Sequence, residues 1–168
     1  VGASSVTLVH VDEEISVIVP HTLVGLLYTT EAIKGPSVVD LAATLATQNW
    51  DSSDEAVITL AKYPLAMLAS EYAAYKELPL LYVTESGVPS NVTTALNSLG
   101  VQNITLVSDG TIGNAVISAL QTYTNNEGGT LTQISDTNMA KLATTISDKV
   151  ATKPEMVIIA SSKVDYAN

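Results

Sequence analysis

Residues 56–86 read AVITLAKYPLAMLASEYAAYKELPLLYVTES, in which two short apolar runs flank an alanine-rich stretch with little charge. The runs at 56–61 and 78–83 do not alternate between apolar and polar residues, which is typical of parallel strands covered on both faces. Pro64 is compatible with the first turn of a helix. Apolar residues then recur at helical spacing, at Leu65, Leu68, Ala69 and Tyr72. The segment therefore predicts a β-α-β unit.

The size and composition of the chain predict a folded protein. With 168 residues and 46% hydrophobic residues, the chain is long enough for one packed domain, or for one domain and part of another. No apolar run approaches the roughly 20 residues of a membrane helix, so we expect no membrane span. The sequence starts at Val1 rather than at a methionine, which suggests a processed secreted protein or an excised fragment.

The charge of the chain limits its partners. It has 17 acidic and 7 basic residues, with a formal net charge of −10, and it has no cysteine. This charge opposes binding to nucleic acid, anionic lipid and anionic wall polymers. All basic residues are scattered lysines, so the chain has no guanidinium for bidentate recognition of phosphate or carboxylate.

The alternation of strands and helices continues on both sides of the opening stretch. Ser37 and Ser90 are predicted N-caps, and Gly100 is a predicted helix stop. We predict helices at 37–48, 90–99, 112–123 and 136–150, and further strands at 103–107, 130–134 and 155–161. The resulting fold is α/β: an open, mostly parallel sheet with helices on both faces, in three layers as in flavodoxin-like and toprim-like proteins.

The sequence contains an internal similarity. LAATLATQ…EAVITLA resembles LATTISDK…EMVIIAS, with Leu41 matching Leu142 and Val57 matching Val157. We therefore predict an α/β repeat unit at 35–134 and the start of a second, incomplete unit at 135–168, packed on the first.

These residues resemble the cell wall-binding repeat type 2 family of surface proteins. The matching stretches are AVITLAKYPLAMLASEYAAY, LPLLYVTES, VPSNVTTALNSLGVQNITLVSDGTIGNAVISAL and ISDTNMAKLA, and together they cover about 36–168. The resemblance implies a non-catalytic, secreted protein that builds or attaches a surface layer, without a cofactor.

Several polar positions depart from the family pattern. Ser135 and Asp136 match the family's SDRYETA motif, but Thr137 and Asn138 stand in place of its arginine and tyrosine. The family's FPDAL motif becomes YPLAM here and loses its acid. Since the fold-forming residues remain and the polar ones do not, the pattern favours a structural or assembly role over binding of a wall polymer.

Catalytic and metal-binding sites have weak support in the sequence. Ser/His/Asp catalysis needs a base, and the only histidines, His10 and His21, lie near the start and are not associated with a G-x-S-x-G motif. With Asp12 or Glu13 they form a zinc-site candidate without a recognised spacing. Glu85 and Asp109 follow two predicted strands, where open α/β sheets place ligands, and are candidates for an acidic metal site. We expect no catalytic residue, cofactor or metal.

Two sequons are candidates for N-glycosylation. Asn91 is followed by Val-Thr at the start of a predicted helix, and Asn103 is followed by Ile-Thr at the start of a predicted strand.

The first 34 residues are predicted to form a separate, β-rich arm. SVTLVHV at 5–11 and ISVIV at 15–19 are typical of two strands joined by a three-residue turn, and 21–35 is compatible with either strand or helix. We hypothesise that this arm, or a neighbouring subunit, covers the exposed end of the second unit by strand addition.

The sequence as a whole favours a non-catalytic, secreted structural protein that self-assembles into a cell-surface layer or extracellular filament. One alternative is a module that binds a cell-wall polymer or glycan, with lysines clustered around its ligand. A second alternative is a small flavodoxin-like enzyme or receiver domain, with an acidic or nucleotide pocket beyond the strand ends.

Overall fold

The computed structural model describes residues 3–12, 15–16 and 18–150. Strands and helices alternate throughout this part of the chain. In order they are β1 (Ser5–Val11), α1 (Ile18–Gly25), β2 (Thr29–Gly35), α2 (Val38–Asn49), β3 (Glu55–Leu60), α3 (Tyr63–Lys76), β4 (Leu80–Val83), α4 (Ser90–Leu99), β5 (Asn103–Ser108), α5 (Asn114–Asn126), β6 (Leu131–Ser135) and α6 (Met139–Val150). The strand predicted at 155–161 lies outside the described residues.

The central sheet has four parallel strands in the order β4-β3-β5-β6. The chain moves from β3 outward to β4 and then crosses back over β3 to reach β5. This order corresponds to the 2-1-3-4 part of a flavodoxin-like sheet, with the change of direction between β3 and β5. Because β3 and β5 lie inside the sheet, almost all of their residues are buried, which explains why their sequences lack a polar face.

Helices cover both faces of the central sheet. On one face α3 packs against α6 and β3, while on the other α2 packs against α4 and β4. A shallow depression lined by both α4 and α5 places α5 beside α4, as right-handed β-α-β crossovers require. The predicted three-layer, mostly parallel α/β fold is confirmed.

The core fills the space between these layers. The largest side chains with less than 2% exposure come from β3, β4, β5 and the helices on both faces, and include Ile58, Leu65, Leu81, Leu96, Leu106, Leu120, Leu142 and Ile146. The alanine-rich sequence of the opening stretch has a packing role, since Ala69 and Ala73 face the sheet from α3 and let this helix lie close to it. The predicted β-α-β unit is therefore confirmed around β3, α3 and β4.

The predicted hairpin in the first 34 residues is wrong. The chain forms β1, then α1, then β2, and the two strands pair in parallel. Residues 18–25 are helical although Ile18 and Val19 are β-branched, because Pro20 stands in the first turn, where its missing N–H is not needed. The segment thus forms a second β-α-β unit, connected to the central sheet through α2, which contacts β2 and β4. The domain limits at 34 and 134 stay predictions.

Most predicted helix ends agree with the structure. The Ser37 hydroxyl accepts a hydrogen bond from the Asp40 N–H and caps α2, and Gly100 ends α4 in the left-handed conformation with φ 70°. The prediction that Ser90 caps α4 is wrong, because Pro89 is the capping position and Ser90 is already helical. None of the described helices is long and apolar enough to cross a membrane.

Candidate functional site at the carboxyl ends of the strands

Polar residues meet where neighbouring strands of the central sheet end. Lys62 follows β3, Glu85 follows β4 and Asp109 follows β5. Open α/β sheets bind ligands in the crevice beyond these ends, at the point where the strand order reverses. The structure therefore brings the two predicted acidic residues to the expected edge of the sheet and adds a lysine to them.

Lys62 ties the strand ends together. Its Nζ lies 2.6 Å from Glu85 Oε1 and donates a hydrogen bond of 3.0 Å to Thr111 Oγ1. The Thr111 hydroxyl and N–H both donate to Asp109 Oδ1, at 2.6 and 3.1 Å. A chain of hydrogen bonds thus runs from Glu85 through Lys62 and Thr111 to Asp109.

The backbone closes the same edge. The Gly113 N–H donates a 2.9 Å hydrogen bond to the Glu85 carbonyl, and a Cβ on Gly113 would lie 2.8 Å from that oxygen. A glycine is therefore needed for this close approach between the start of α5 and the end of β4. These contacts position the loop that carries Asp109 and Thr111 against the loop that carries Glu85.

The charges of this cluster perturb one another. The hydrogen bond to Glu85 is the main cause that raises the pKa of Lys62, although desolvation acts in the opposite direction. For Asp109, desolvation favours the neutral acid, but the Thr111 hydrogen bonds and the Lys62 charge together hold its pKa below the usual range. Lys62 is therefore protonated and Asp109 ionised at neutral pH.

This arrangement does not assemble the acidic metal site that Glu85 and Asp109 suggest. The cationic Nζ of Lys62 forms an ion pair with Glu85 and reaches Asp109 through the Thr111 hydroxyl, so both carboxylates already have partners. Within residues 3–12, 15–16 and 18–150, no group of three or more His, Cys, Asp or Glu side chains is arranged to hold a metal ion. The cluster acts instead as an internal crosslink between strand ends.

The two histidines lie on different elements of the first β-α-β unit. His10 is in β1, where its Nδ1 lies 2.9 Å from the Val11 carbonyl, and His21 is exposed on α1. Glu13 lies outside the described residues. The zinc-site candidate gains no support from this placement.

Both sequon asparagines make tertiary hydrogen bonds. Asn91 is half-buried and its Nδ2 donates a 2.7 Å hydrogen bond to Asp40 Oδ1. Asn103 Oδ1 accepts hydrogen bonds of 3.0 and 2.9 Å from the Thr130 N–H and hydroxyl. Each side chain thus has a structural role, and glycosylation at either position stays a prediction.

An apolar groove forms a second candidate site, beside β4, which is an edge strand of the central sheet in the described residues. It has a volume of about 670 Å³ and lies between α2 and the C-terminal half of α3. Its lining is mostly apolar, with Leu41, Leu45, Trp50, Leu80 and Tyr82 among the larger side chains. The Trp50 indole N–H donates a 2.9 Å hydrogen bond to the Glu77 carbonyl, which fixes the ring at one end of the groove.

Sequence reasoning missed Lys62, Thr111 and this groove. A signal existed for Lys62, because it directly follows a predicted strand just as Glu85 and Asp109 do. The groove had no local signal, since it exists only because α2 and α3 lie on opposite faces of the sheet and project beyond its edge strand.

Solved structures with a similar fold come from bacterial cell wall proteins. Cwp8 from Clostridium difficile is matched with a TM-score of 0.74 and 16% identity over 88% of this chain, and Cwp6 from the same organism with a TM-score of 0.62 and 18% identity over 70%. Both are cell wall proteins. At this identity the matches establish a shared fold.

The matches cover only part of each neighbour. This chain spans 24% of the Cwp8 chain and 18% of the Cwp6 chain. No established family profile matches the chain, and no curated protein matches its sequence.

Proposed function

We propose that this chain is a non-catalytic structural module of a cell-surface layer or extracellular filament, and that it associates with copies of itself. One observation carries the proposal: the order strand, helix, parallel strand, helix occurs twice, first as β1-α1-β2-α2 and again as β5-α5-β6-α6. The first copy leads from one sheet into the next through α2. A unit that repeats in this way is suited to extended arrays.

An extracellular, cell-surface location fits the fold similarity and the composition. Two proteins with this fold are cell wall proteins. The sequence of the chain resembles the cell wall-binding repeat type 2 family in the order of its motifs. A net charge of −10 keeps such a surface protein soluble before assembly.

The crevice at the strand ends favours a structural role over an enzyme or receiver domain. The polar groups that could serve a ligand there are bonded to one another through Lys62 and Thr111. A flavodoxin-like enzyme or a receiver domain would instead need an acidic or nucleotide pocket at this edge.

Light scattering and electron microscopy of the purified chain test this proposal. We expect the mass from light scattering to rise with protein concentration, and we expect negative-stain images to contain sheets or filaments with a regular repeat. A monomer mass at millimolar concentration, with no ordered assembly on the grid, would overturn the proposed function.

Glycan binding in the apolar groove is a second candidate function. The fold similarity to cell wall proteins favours it, and Trp50 and Tyr82 supply aromatic rings on which sugars stack. Because Trp50 is the only tryptophan, its fluorescence reports on this groove directly. Titration with cell wall glycan should change the emission of the wild-type protein, and a Tyr82→Ala variant should weaken the response. An unchanged spectrum at saturating glycan would rule this candidate out.

A further inference from the structure

The first strands of the two β-α-β units match in sequence. Val6-Thr7-Leu8-Val9 in β1 corresponds to Ile104-Thr105-Leu106-Val107 in β5. The pairing registers agree as well: Val6 pairs with Thr30, and Ile104 pairs with Leu131. The offset between Thr30 and Leu131 equals the offset between Leu41 and Leu142. The alignment of β2 with β6 therefore continues into the alignment of α2 with α6 without a gap. Residues 5–35 therefore align with 103–136, with a shorter helix between the strands.

The two copies differ in what lies on the other side of the first strand. On that side β5 pairs with β3, so that Val57 lies opposite Thr105 and Ile58 opposite Leu106. In the part of the chain that the structure describes, β1 pairs with β2 alone. Side-chain exposure differs in the same way: Val107 in β5 is 0% exposed, whereas its counterpart Val9 in β1 is 46% exposed. Among the described residues, the outer edge of β1 therefore has no counterpart of the neighbour that β5 has.

Backbone N–H groups of β1 point toward this edge, where no described strand pairs with them. The Ile104 N–H donates to Thr130 and so points toward β6. Direction alternates along a strand, so the Thr105 N–H points toward β3. In β1 the Asp12 N–H donates to the Gly35 carbonyl of β2. By the same alternation, the Thr7 and Val9 N–H groups point away from β2, toward the outer edge of β1.

The sequence contains a counterpart for the missing neighbour. EMVIIAS at 155–161 matches EAVITLA at 55–61, which contains β3. A specific side-chain contact supports the match: the Thr105 hydroxyl donates a 2.5 Å hydrogen bond to Glu55 across the β3–β5 pair. Both partners recur, as Thr7 in β1 and Glu155 in the C-terminal segment.

We propose that residues 155–161 of a second copy bind the outer edge of β1 as a parallel strand, with Glu155 opposite Ser5 and Val157 opposite Thr7. The Thr7 hydroxyl then donates to the Glu155 carboxylate, as Thr105 does to Glu55. This inference rests on the proposed self-association and specifies the contact that produces it.

The occupant comes from a second copy because of the direction of the chain. The helix α2 carries the chain from the β1-β2 sheet into the next sheet, and α6 repeats α2. We infer that α6 continues the chain in the same direction, so that residues 155–161 reach β1 of a second copy rather than β1 of their own chain. Contacts between the C-terminal segment of one copy and β1 of the next are heterologous and produce an open array.

Exposed apolar residues are concentrated in the first β-α-β unit. Of the ten large hydrophobic side chains that are exposed in the described residues, six lie between positions 9 and 27. They are Val9, Ile18, Val19, Val24, Leu26 and Leu27. Clustered exposed apolar side chains are typical of association surfaces.

Disulfide crosslinking tests the register, because the chain has no native cysteine. Adjacent strands place paired Cα atoms about 5 Å apart, within the range of a disulfide. We expect oxidised Thr7→Cys/Val157→Cys protein to form a ladder of covalent oligomers on a non-reducing gel. Two controls should form no ladder: Thr7→Cys/Ala160→Cys, which is out of register, and Thr105→Cys/Val157→Cys, in which the edge of β5 is already paired with β3.

A proline variant tests the edge by a second route. Thr7→Pro removes one N–H from the outer edge of β1 and leaves the bonds between β1 and β2 intact. We expect it to raise the concentration for half-maximal assembly about tenfold while the circular dichroism spectrum is unchanged. Assembly of the wild-type chain, without a crosslink in the Thr7→Cys/Val157→Cys protein and without an effect of Thr7→Pro, would overturn this inference alone. A wild-type chain that stays monomeric would overturn both the inference and the proposed function.

Discussion

Asn91 Nδ2 lies 2.7 Å from Asp40 Oδ1, and this hydrogen bond fastens α4 to α2 across one face of the central sheet. The other carboxylate oxygen of Asp40 accepts a hydrogen bond from the Ser37 hydroxyl. Asp40 therefore links the N-cap of one helix to the first turn of its neighbour.

Loss of the Asn91 amide should loosen this helix pair. We expect Asn91→Ala to lower the free energy of unfolding by about 1–2 kcal/mol, because a half-buried carboxylate loses a hydrogen-bond donor. Asn91→Asp should cost at least as much, since two carboxylates would then face each other. Urea denaturation measures both effects, and Asn97→Ala on the exposed side of α4 is the matched control. Equal stability of the Asn91 and Asn97 variants would contradict the role of this bond.

The hydrogen bonds and the charge around Asp109 should determine its pKa. The Thr111 hydrogen bonds lower the pKa of Asp109 more than the Lys62 charge does. We therefore expect Thr111→Val to raise the pKa of Asp109 more than Lys62→Met, as measured by the pH titration of its side-chain carboxyl signal in NMR. Lys76→Met, at the other end of α3, should leave it unchanged.

The pH dependence of stability has a defined sign. Because the pKa of Asp109 is lower in the folded protein than in the unfolded chain, its contribution to stability is fully present above its usual pKa and is lost as the pH falls through the lowered value. We expect Thr111→Val to unfold at a higher pH than the wild type during acid titration. An unchanged acid midpoint would contradict this linkage.

At the C-terminal ends of α3 and α4, introducing a glycine and removing one should have opposite effects on stability. Glu77 ends α3 with φ 57°, a conformation that glycine adopts without steric cost. We expect Glu77→Gly to raise the free energy of unfolding by roughly 0.5–1 kcal/mol, because it removes the steric cost of a positive φ. The Glu77 carbonyl that binds Trp50 is retained. Gly100→Ala should lower it by about 1 kcal/mol, because a Cβ there meets open space and only the φ of 70° opposes it. Thermal denaturation of both variants measures these effects, and shifts of the same sign would contradict the argument.

The two copies of the β-α-β unit should respond differently to the same core substitution. Leu106 is 0% exposed in β5, so Leu106→Ala should cost about 2–5 kcal/mol of stability. Its counterpart Leu8 is only half-buried in β1, and Leu8→Ala should cost clearly less in dilute, unassembled protein. Equal losses at the two positions would show that β1 already has a second neighbour.

The sequence was sufficient to predict the elements from α2 to α6. Each strand there is a short apolar run, and each helix has an apolar face with capping or breaking residues near its ends, as at Ser37, Pro64 and Gly100. These signals are local, because they arise from the burial of side chains and from the backbone preferences of individual residues. Ser90 shows where local signals fail. It is a typical N-cap residue, but the structure places it one position inside α4, after the capping position Pro89.

The same local signals failed in the first 35 residues. ISVIVPHTLVG is apolar on all sides, so its spacing does not distinguish a strand from a short helix. The predicted hairpin pairs residues 5–11 with 15–19, whereas the observed β-α-β unit pairs 5–11 with 29–35 in parallel. Apolar composition alone does not choose between these two partners. The resemblance between residues 5–35 and 103–136 became visible only through the matching registers of the two parallel pairs.

Sequence by itself determined the alternation of strands and helices from α2 to α6 and the three-layer class, because apolar spacing and turn residues are local features of the chain. Tertiary structure decided the parallel pairing of β1 with β2, the meeting of Lys62 with Glu85 and Thr111, and the unpaired outer edge of β1 among the described residues. The physical reason is that these contacts join residues distant in sequence, and their geometry depends on the crossover and packing of whole helices.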